Sequence, residues 1–167
     1  MNSNLHTVVL IATVIVFQLI INNFINPGPY LFICLVPFAI SLVPRDLNIN
    51  ATMLVCFALG LAVDIFSRGV IGVNAAAATA LSVLREPIYR FSINRNRQDN
   101  APNPGIRQCG LSKYLLYISS ATLVYMFIYC AAESLGVRDI LFFLVQFILS
   151  SVLSVILSCC FSLTVKS

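Results

Sequence analysis

Long stretches without a single charge constrain this chain more than any other feature. No Asp, Glu, Lys or Arg occurs between Met1 and Arg45, between Lys113 and Glu133, or between Asp139 and Lys166. About 20 consecutive apolar residues suffice to cross a bilayer as a helix. Only 10% of the residues are charged, against roughly 25% in a soluble domain. So few charges cannot cover the surface of a soluble fold. With 59% hydrophobic residues and a mean hydropathy of +0.94, the expectation is an all-α polytopic membrane protein. It forms a single integral-membrane unit over residues 1–167, with no soluble domain beside it.

Breakers divide the apolar sequence into six expected spans: residues 5–25, 30–43, 51–65, 70–84, 113–134 and 139–165. The first lacks a basic leader and exceeds the roughly 7–15 residues of a signal-peptide core, so it reads as a retained span. It ends at Asn26-Pro27-Gly28-Pro29, a strong turn cluster. Spans two to four are short. Fifteen helical residues rise only about 22 Å, against a hydrocarbon core of about 30 Å. They are expected to be half-helices, re-entrant segments, or helices that extend into their flanks.

Charge sets the orientation. The segment 85–113 carries Arg85, Arg90, Arg95, Arg97, Arg107 and Lys113 against Glu86 and Asp99. The positive-inside rule makes it a basic cytoplasmic loop. Six spans then leave both termini inside with Arg45 and Lys166, and only Arg68 and Arg138 outside. Arg85, Arg90, Arg95 and Arg97 are expected to touch anionic lipid or an acidic cytoplasmic partner. The Pro102, Pro104 and Gly105 portion reads as a flexible linker. Nothing in it resembles a nucleic-acid module.

In the last span Gln146, Ser150, Ser154, Ser158 and Ser162 recur every four residues. Small polar residues on one face let helices approach closely and bond across the contact. The ridge is either a docking face for another helix, in this chain or a partner, or ordinary internal packing. The alanine-rich 75–80 stretch places the fourth span mid-bundle against the third. Gln18, Asn22 and Asn23 are expected to bond between helices.

Chemistry is sparse. Of the six cysteines, five (Cys34, Cys56, Cys130, Cys159 and Cys160) lie in apolar runs, and Cys109 lies in the basic loop. None forms a CxxC, and the single histidine is His6. They read as small apolar filler, so no metal and no cofactor is expected. No HExxH, P-loop, GxSxG or EF-hand pattern occurs, and no two carboxylates share a helix at i,i+3 or i,i+4. The chain is not expected to be an enzyme.

The stretch GLAVDIFSRGVIG, residues 60–72, stands apart. Asp64 closes the third span, where an ionisable group usually pairs or faces the protein interior. Arg68 could pair with it if the helix continues one turn, and Gly69 and Gly72 supply the return. The segment reads as a helical hairpin held by a carboxylate that accepts backbone or arginine hydrogen bonds. Gly60, Asp64 and Gly72-Val73, followed by a small-residue helix, resemble the signature of the rod-shape-determining MreD family. The six-span count, the asparagine-bearing first span and the basic loop agree with it, and the Asn/Arg-rich stretch at 92–103 departs from some members.

The resemblance implies a non-enzymatic scaffold in the bacterial inner membrane. It implies an MreC-like bitopic partner and a link from MreB-like filaments to the glycosyltransferase and transpeptidase of cell elongation. It also implies an architecture similar to the substrate-binding subunits of energy-coupling-factor transporters. The alternative that follows is a small-molecule-binding transporter subunit, with Asn22, Asn23, Asp64 and Glu133 converging near the outer side.

Overall fold

The computed structural model describes residues 2–24, 31–45, 47–67, 70–93, 110–134 and 140–165. Among the described residues it is all helical: α1 (Asn2–Phe24), α2 (Val36–Leu42), α3 (Ile49–Phe66), α4 (Val73–Ile93), α5 (Leu111–Ser134) and α6 (Ile140–Val165). Four of them, α1, α3, α5 and α6, contain stretches long and apolar enough to cross a membrane. That is the composition of a helical membrane protein.

Its interior is mixed. Leu35, Phe38, Leu81, Tyr117 and Tyr125 are buried in an apolar core, and Gln18, Ser150, Ser154 and Thr122 are buried with them, while Leu5, Ile20, Leu141, Ile148, Val152 and Ile156 are exposed. On α6 the exposed Ile148, Val152 and Ile156 alternate with the buried serines, so the helix turns its polar stripe inward. Lipid tails solvate large apolar side chains as well as a core would, so such residues can face outward and small and polar ones can face a neighbouring helix.

α4 lies centrally, packed against both α3 and α5. Small residues make this possible: Ala75, Ala77 and Ala78 are buried. The helix starts at Val73 and runs on to Ile93, past Pro87. The first part of the expected basic loop is therefore the last turns of a helix. Pro87 removes one backbone donor from that helix without ending it.

The expected second span is only half a helix. Residues 31–35 are non-helical, and α2 follows for 7 residues. The pair is level with Ser150 of α6 at one end and with Arg85 of α4 at the other. The non-helical part cannot satisfy its own backbone, and in an apolar interior each unpaired group costs several kcal/mol. Neighbouring helices supply the partners. Phe32 N–H donates to Ser150 Oγ at 2.9 Å, Cys34 N–H to Ser154 Oγ at 3.0 Å and Leu35 N–H to Gln18 Oε1 at 2.5 Å. Gln18 Nε2 donates back to the Ile33 carbonyl at 2.9 Å. Phe32 also stacks on Tyr129, ring centroids 4.2 Å apart.

Candidate functional site: a buried hairpin lock

Gly60 and Asp64 stand four residues apart on α3, hence on one face. That face meets the start of α4. A Cβ on Gly60 would come within 2.6 Å of Ala75 Cα and of the Asn74 carbonyl oxygen, and within 2.8 Å of Ala75 N. Only glycine leaves room for the two backbones to touch here. One turn further on, the Asp64 side chain, 1% exposed, reaches the N-terminus of α4.

There it gathers the helix's orphan donors. Asp64 Oδ2 accepts from the N–H of Gly72 at 2.9 Å and of Ala75 at 3.0 Å. Its Oδ1 accepts from Asn74 N–H at 3.2 Å and from Asn74 Nδ2 at 2.9 Å. Val73 N–H donates to the Val70 carbonyl and Ala76 N–H to the Gly72 carbonyl. Every backbone N–H from Gly72 to Ala76 thus has an acceptor. A capping residue normally precedes its own helix; this one belongs to the neighbouring helix. The carboxylate lies at the positive end of the α4 dipole, where a negative charge is stabilised.

Gly72 has φ +99°, a left-handed conformation that a side chain would strain. It turns the chain so that three backbone N–H groups, of Gly72, Asn74 and Ala75, reach one carboxylate. Asn74 extends the network: its Oδ1 accepts from the Tyr125 hydroxyl of α5 at 2.6 Å. A chain of bonds therefore runs from α3 through α4 to α5. From the other side α1 closes the hairpin. Asn22 Nδ2 donates to Ser67 Oγ at 2.9 Å, and Asn23 Nδ2 to the Phe66 carbonyl at 3.1 Å. Gln18 Nε2 donates to Asn22 Oδ1 at 2.8 Å. Chemically the knot holds an anion already saturated with donors, next to amides and a phenol. It is built to hold helices at fixed separations.

Of the expected motif residues, the structure brings Gly60, Asp64 and Gly72 together. Arg68 and Gly69 lie outside the described residues, and with them the expected Asp64–Arg68 pair. Asn74 and Tyr125 were not anticipated. Asn74 directly follows the Gly72-Val73 pair and is the polar residue that opens the alanine run, which is the signal that could have marked it. Of the residues expected to converge with Asp64 on a ligand, Asn22 and Asn23 bond the end of α3 at Ser67 and Phe66, and Glu133 Oε2 accepts from Gln146 Nε2 at 2.8 Å.

For the serine ridge the structure shows the internal-packing alternative. Gln146, Ser150, Ser154, Ser158 and Ser162 are all buried within this chain. They do not form a free surface for a partner's helix, because the ridge is covered internally, with the 31–35 backbone over Ser150 and Ser154. Arg85 lies on α4 and not on a loop. It is 6% exposed, and its Nη2 donates to the Val43 carbonyl at the end of α2 at 2.6 Å. A helix C-terminus with unsatisfied carbonyls is where a cation is stabilised. Arg90 is exposed and pairs with Glu86 at 3.2 Å, while Arg95 and Arg97 lie outside the described residues. Among the described residues no three His, Cys, Asp or Glu side chains gather as a metal site. No protein-family model matches the chain, and neither a curated protein nor a solved structure matches it significantly.

Proposed function

We propose that the chain is a non-enzymatic scaffold subunit of the bacterial cell-elongation complex, of the MreD type. In this reading it sits in the inner membrane with six passes and both termini in the cytoplasm. The expected spans 30–43 and 70–84 are the second and fourth passes, the fourth formed by the first part of α4. The contact of Arg45, ahead of α3, with Glu86, near the end of α4, supports the reading by putting Arg45 at the same end as the basic segment. A fold similar to that of energy-coupling-factor substrate-binding subunits belongs to the same proposal.

One observation carries it. The motif behind the resemblance, Gly60, Asp64 and Gly72, is physically a hairpin lock whose carboxylate has four donors and no vacancy. A motif used up in holding two helices serves a protein whose product is a shape. That shape would present a MreC-like bitopic protein, an MreB-like filament and the wall synthases to one another.

The test is affinity recovery of the tagged protein from native membranes in mild detergent. The expected co-purifying set is a MreC-like protein with a glycosyltransferase and a transpeptidase. Asp64→Ala should reduce that set more than it reduces membrane insertion. Undiminished recovery with Asp64→Ala, or recovery of an ATPase pair with a bound metabolite, overturns the reading.

A further inference from the structure

At the end of the bundle opposite the hairpin lock, the N-terminus of α3 and the second half of α4 enclose a notch of about 190 Å³. A water occupies about 30 Å³ of liquid, so a phosphate-sized group fits. Its walls are Arg45, Thr52, Ser82, Arg85 and Glu86, and its rim is Leu47, Ile49 and Val83. We propose that this notch binds the phosphate of an anionic lipid headgroup. The inference rests on the chain being a membrane protein and not on the elongation-complex reading.

Charge is the first argument. The ion pairs among the described residues are Arg45–Glu86 at 2.6 Å and Arg90–Glu86 at 3.2 Å. Among the described residues one carboxylate therefore serves two cations, and Arg85, buried beside them, pairs with none of the described carboxylates. Its guanidinium carries five donors in a fork that matches phosphate oxygens. One is spent on the Val43 carbonyl, and the Tyr117 hydroxyl also lies within hydrogen-bonding reach. Arg45 is held over the Tyr89 ring, 3.7 Å from its centroid, and so is positioned before any ligand arrives.

The hydroxyls of Thr52 and Ser82 donate to carbonyls of their own helices, so the cations are the walls' recognition elements. Behind them stands the first turn of α3, at whose N-cap the Asn48 side chain makes no capping bond. Ile49 and Thr52 of that turn line the notch, so the positive end of a long helix adjoins it.

Depth is the second argument, and it selects a lipid over free phosphate. The apolar stretch of α3 begins at Ile49, so the notch lies at the membrane boundary, where headgroups are. Leu47, Ile49 and Val83 are each more than 40% exposed and form an apolar lip for the ester and acyl region. A soluble anion would gain nothing from that lip.

The experiment is native mass spectrometry of the purified full chain in detergent, titrated with phosphatidylglycerol or phosphatidylcholine, each with and without millimolar inorganic phosphate. Phosphatidylglycerol should be retained in preference to phosphatidylcholine and should survive inorganic phosphate. Arg45→Gln should weaken that retention about fivefold, the factor one cation near an anionic surface carries. Glu86→Gln removes the repelling wall and should strengthen it by about the same factor. Since a folding defect weakens binding, this opposite sign separates recognition from stability. Lys113→Gln, exposed and outside the notch, should change nothing. Equal retention of both lipids, insensitivity to Arg45→Gln, or weakening by Glu86→Gln overturns the proposal. Displacement by inorganic phosphate also overturns it and assigns the notch to free phosphate.

Discussion

The two ends of α4 treat charge in opposite ways. At its N-terminus a single carboxylate, Asp64, is buried and surrounded by donors from the helix it caps. Near its C-terminus Arg85 and Arg90, with Arg45, share one carboxylate among the described residues, Glu86, and Glu86 and Arg90 are open to the surroundings. A buried charge is tolerated only when every bond it needs is supplied. The N-terminal end meets that condition with three backbone N–H groups and the Asn74 amide, which makes it rigid and fills the carboxylate's acceptor sites. The C-terminal end meets it incompletely and is open, which is the condition for recognising something outside the chain. A carboxylate in an apolar run therefore does not by itself mark a binding site; the donors around it decide.

Breaking the closed end should cost most. Asp64→Ala strands three backbone N–H groups and the Asn74 amide in an apolar interior. The expected loss is about 3 kcal/mol, from stranded buried donors and a lost cap together. Gly60→Ala leaves those bonds in place but drives a methyl into the Ala75 backbone. Backbone cannot rotate aside as a side chain can, so α3 and α4 must separate, at about 2 kcal/mol. Both are measurable by unfolding in mixed detergent and SDS micelles. If Asp64→Ala unfolds at the same SDS fraction as the unmutated chain, the carboxylate is not what closes the hairpin.

Much of this arrangement is legible in residue order, and the parts that are not have physical reasons. Uninterrupted apolar runs imply α1, α3, α5 and α6, because a helix is the cheapest way to satisfy a backbone without water. The composite 31–43 segment is hidden: an apolar run bounded by Pro looks the same whether coiled or extended. Its partners, Gln18, Ser150 and Ser154, sit far away in sequence. Arg85 is misread for a related reason. The charge rule counts cations on a side and does not say which of them turns back to a helix end. The extension of α4 to Ile93 is obscured by Pro87, which usually argues against a helix interior.

The serine ridge sharpens the comparison within one helix. Ser150, Ser154, Ser158 and Ser162 are indistinguishable by spacing and burial. Yet the first two accept backbone N–H bonds from 31–35, while the Oγ atoms of Ser158 and Ser162 have no hydrogen-bond partner among the described residues. Ser154→Ala should cost about 0.6–1 kcal/mol, the typical value of a side-chain hydrogen bond between membrane helices. Ser158→Ala should be neutral or slightly stabilising, since it removes a buried polar group that bonds nothing. Equal losses in the same SDS titration would show that the ridge acts through its small size alone.

The smallest effect belongs to the open end, and its sign is informative. Partial burial pushes the Glu86 carboxyl upward, but the hydrogen bond and charge of Arg45, and then those of Arg90, outweigh it and hold the group below its ordinary value. A carboxylate with a depressed folded-state pKa contributes stability that is fully present above its unfolded value, about 4.3. That contribution is lost as pH falls through the lower folded value. Lowering the pH from neutrality to about 5 should leave the Glu86 contribution intact, and it should disappear only below about 4. Because Glu86 is nearly half exposed, the amplitude should not exceed that of a surface ion pair, about 0.5 kcal/mol. Comparing unmutated chain with Glu86→Gln across that range isolates the term, since the glutamine variant lacks the titrating group. A difference that instead grows on acidification would mean that Glu86 is strained by its neighbours rather than held by Arg45 and Arg90. The openness of this end would then reflect repulsion from the carboxylate and not a surplus of cations.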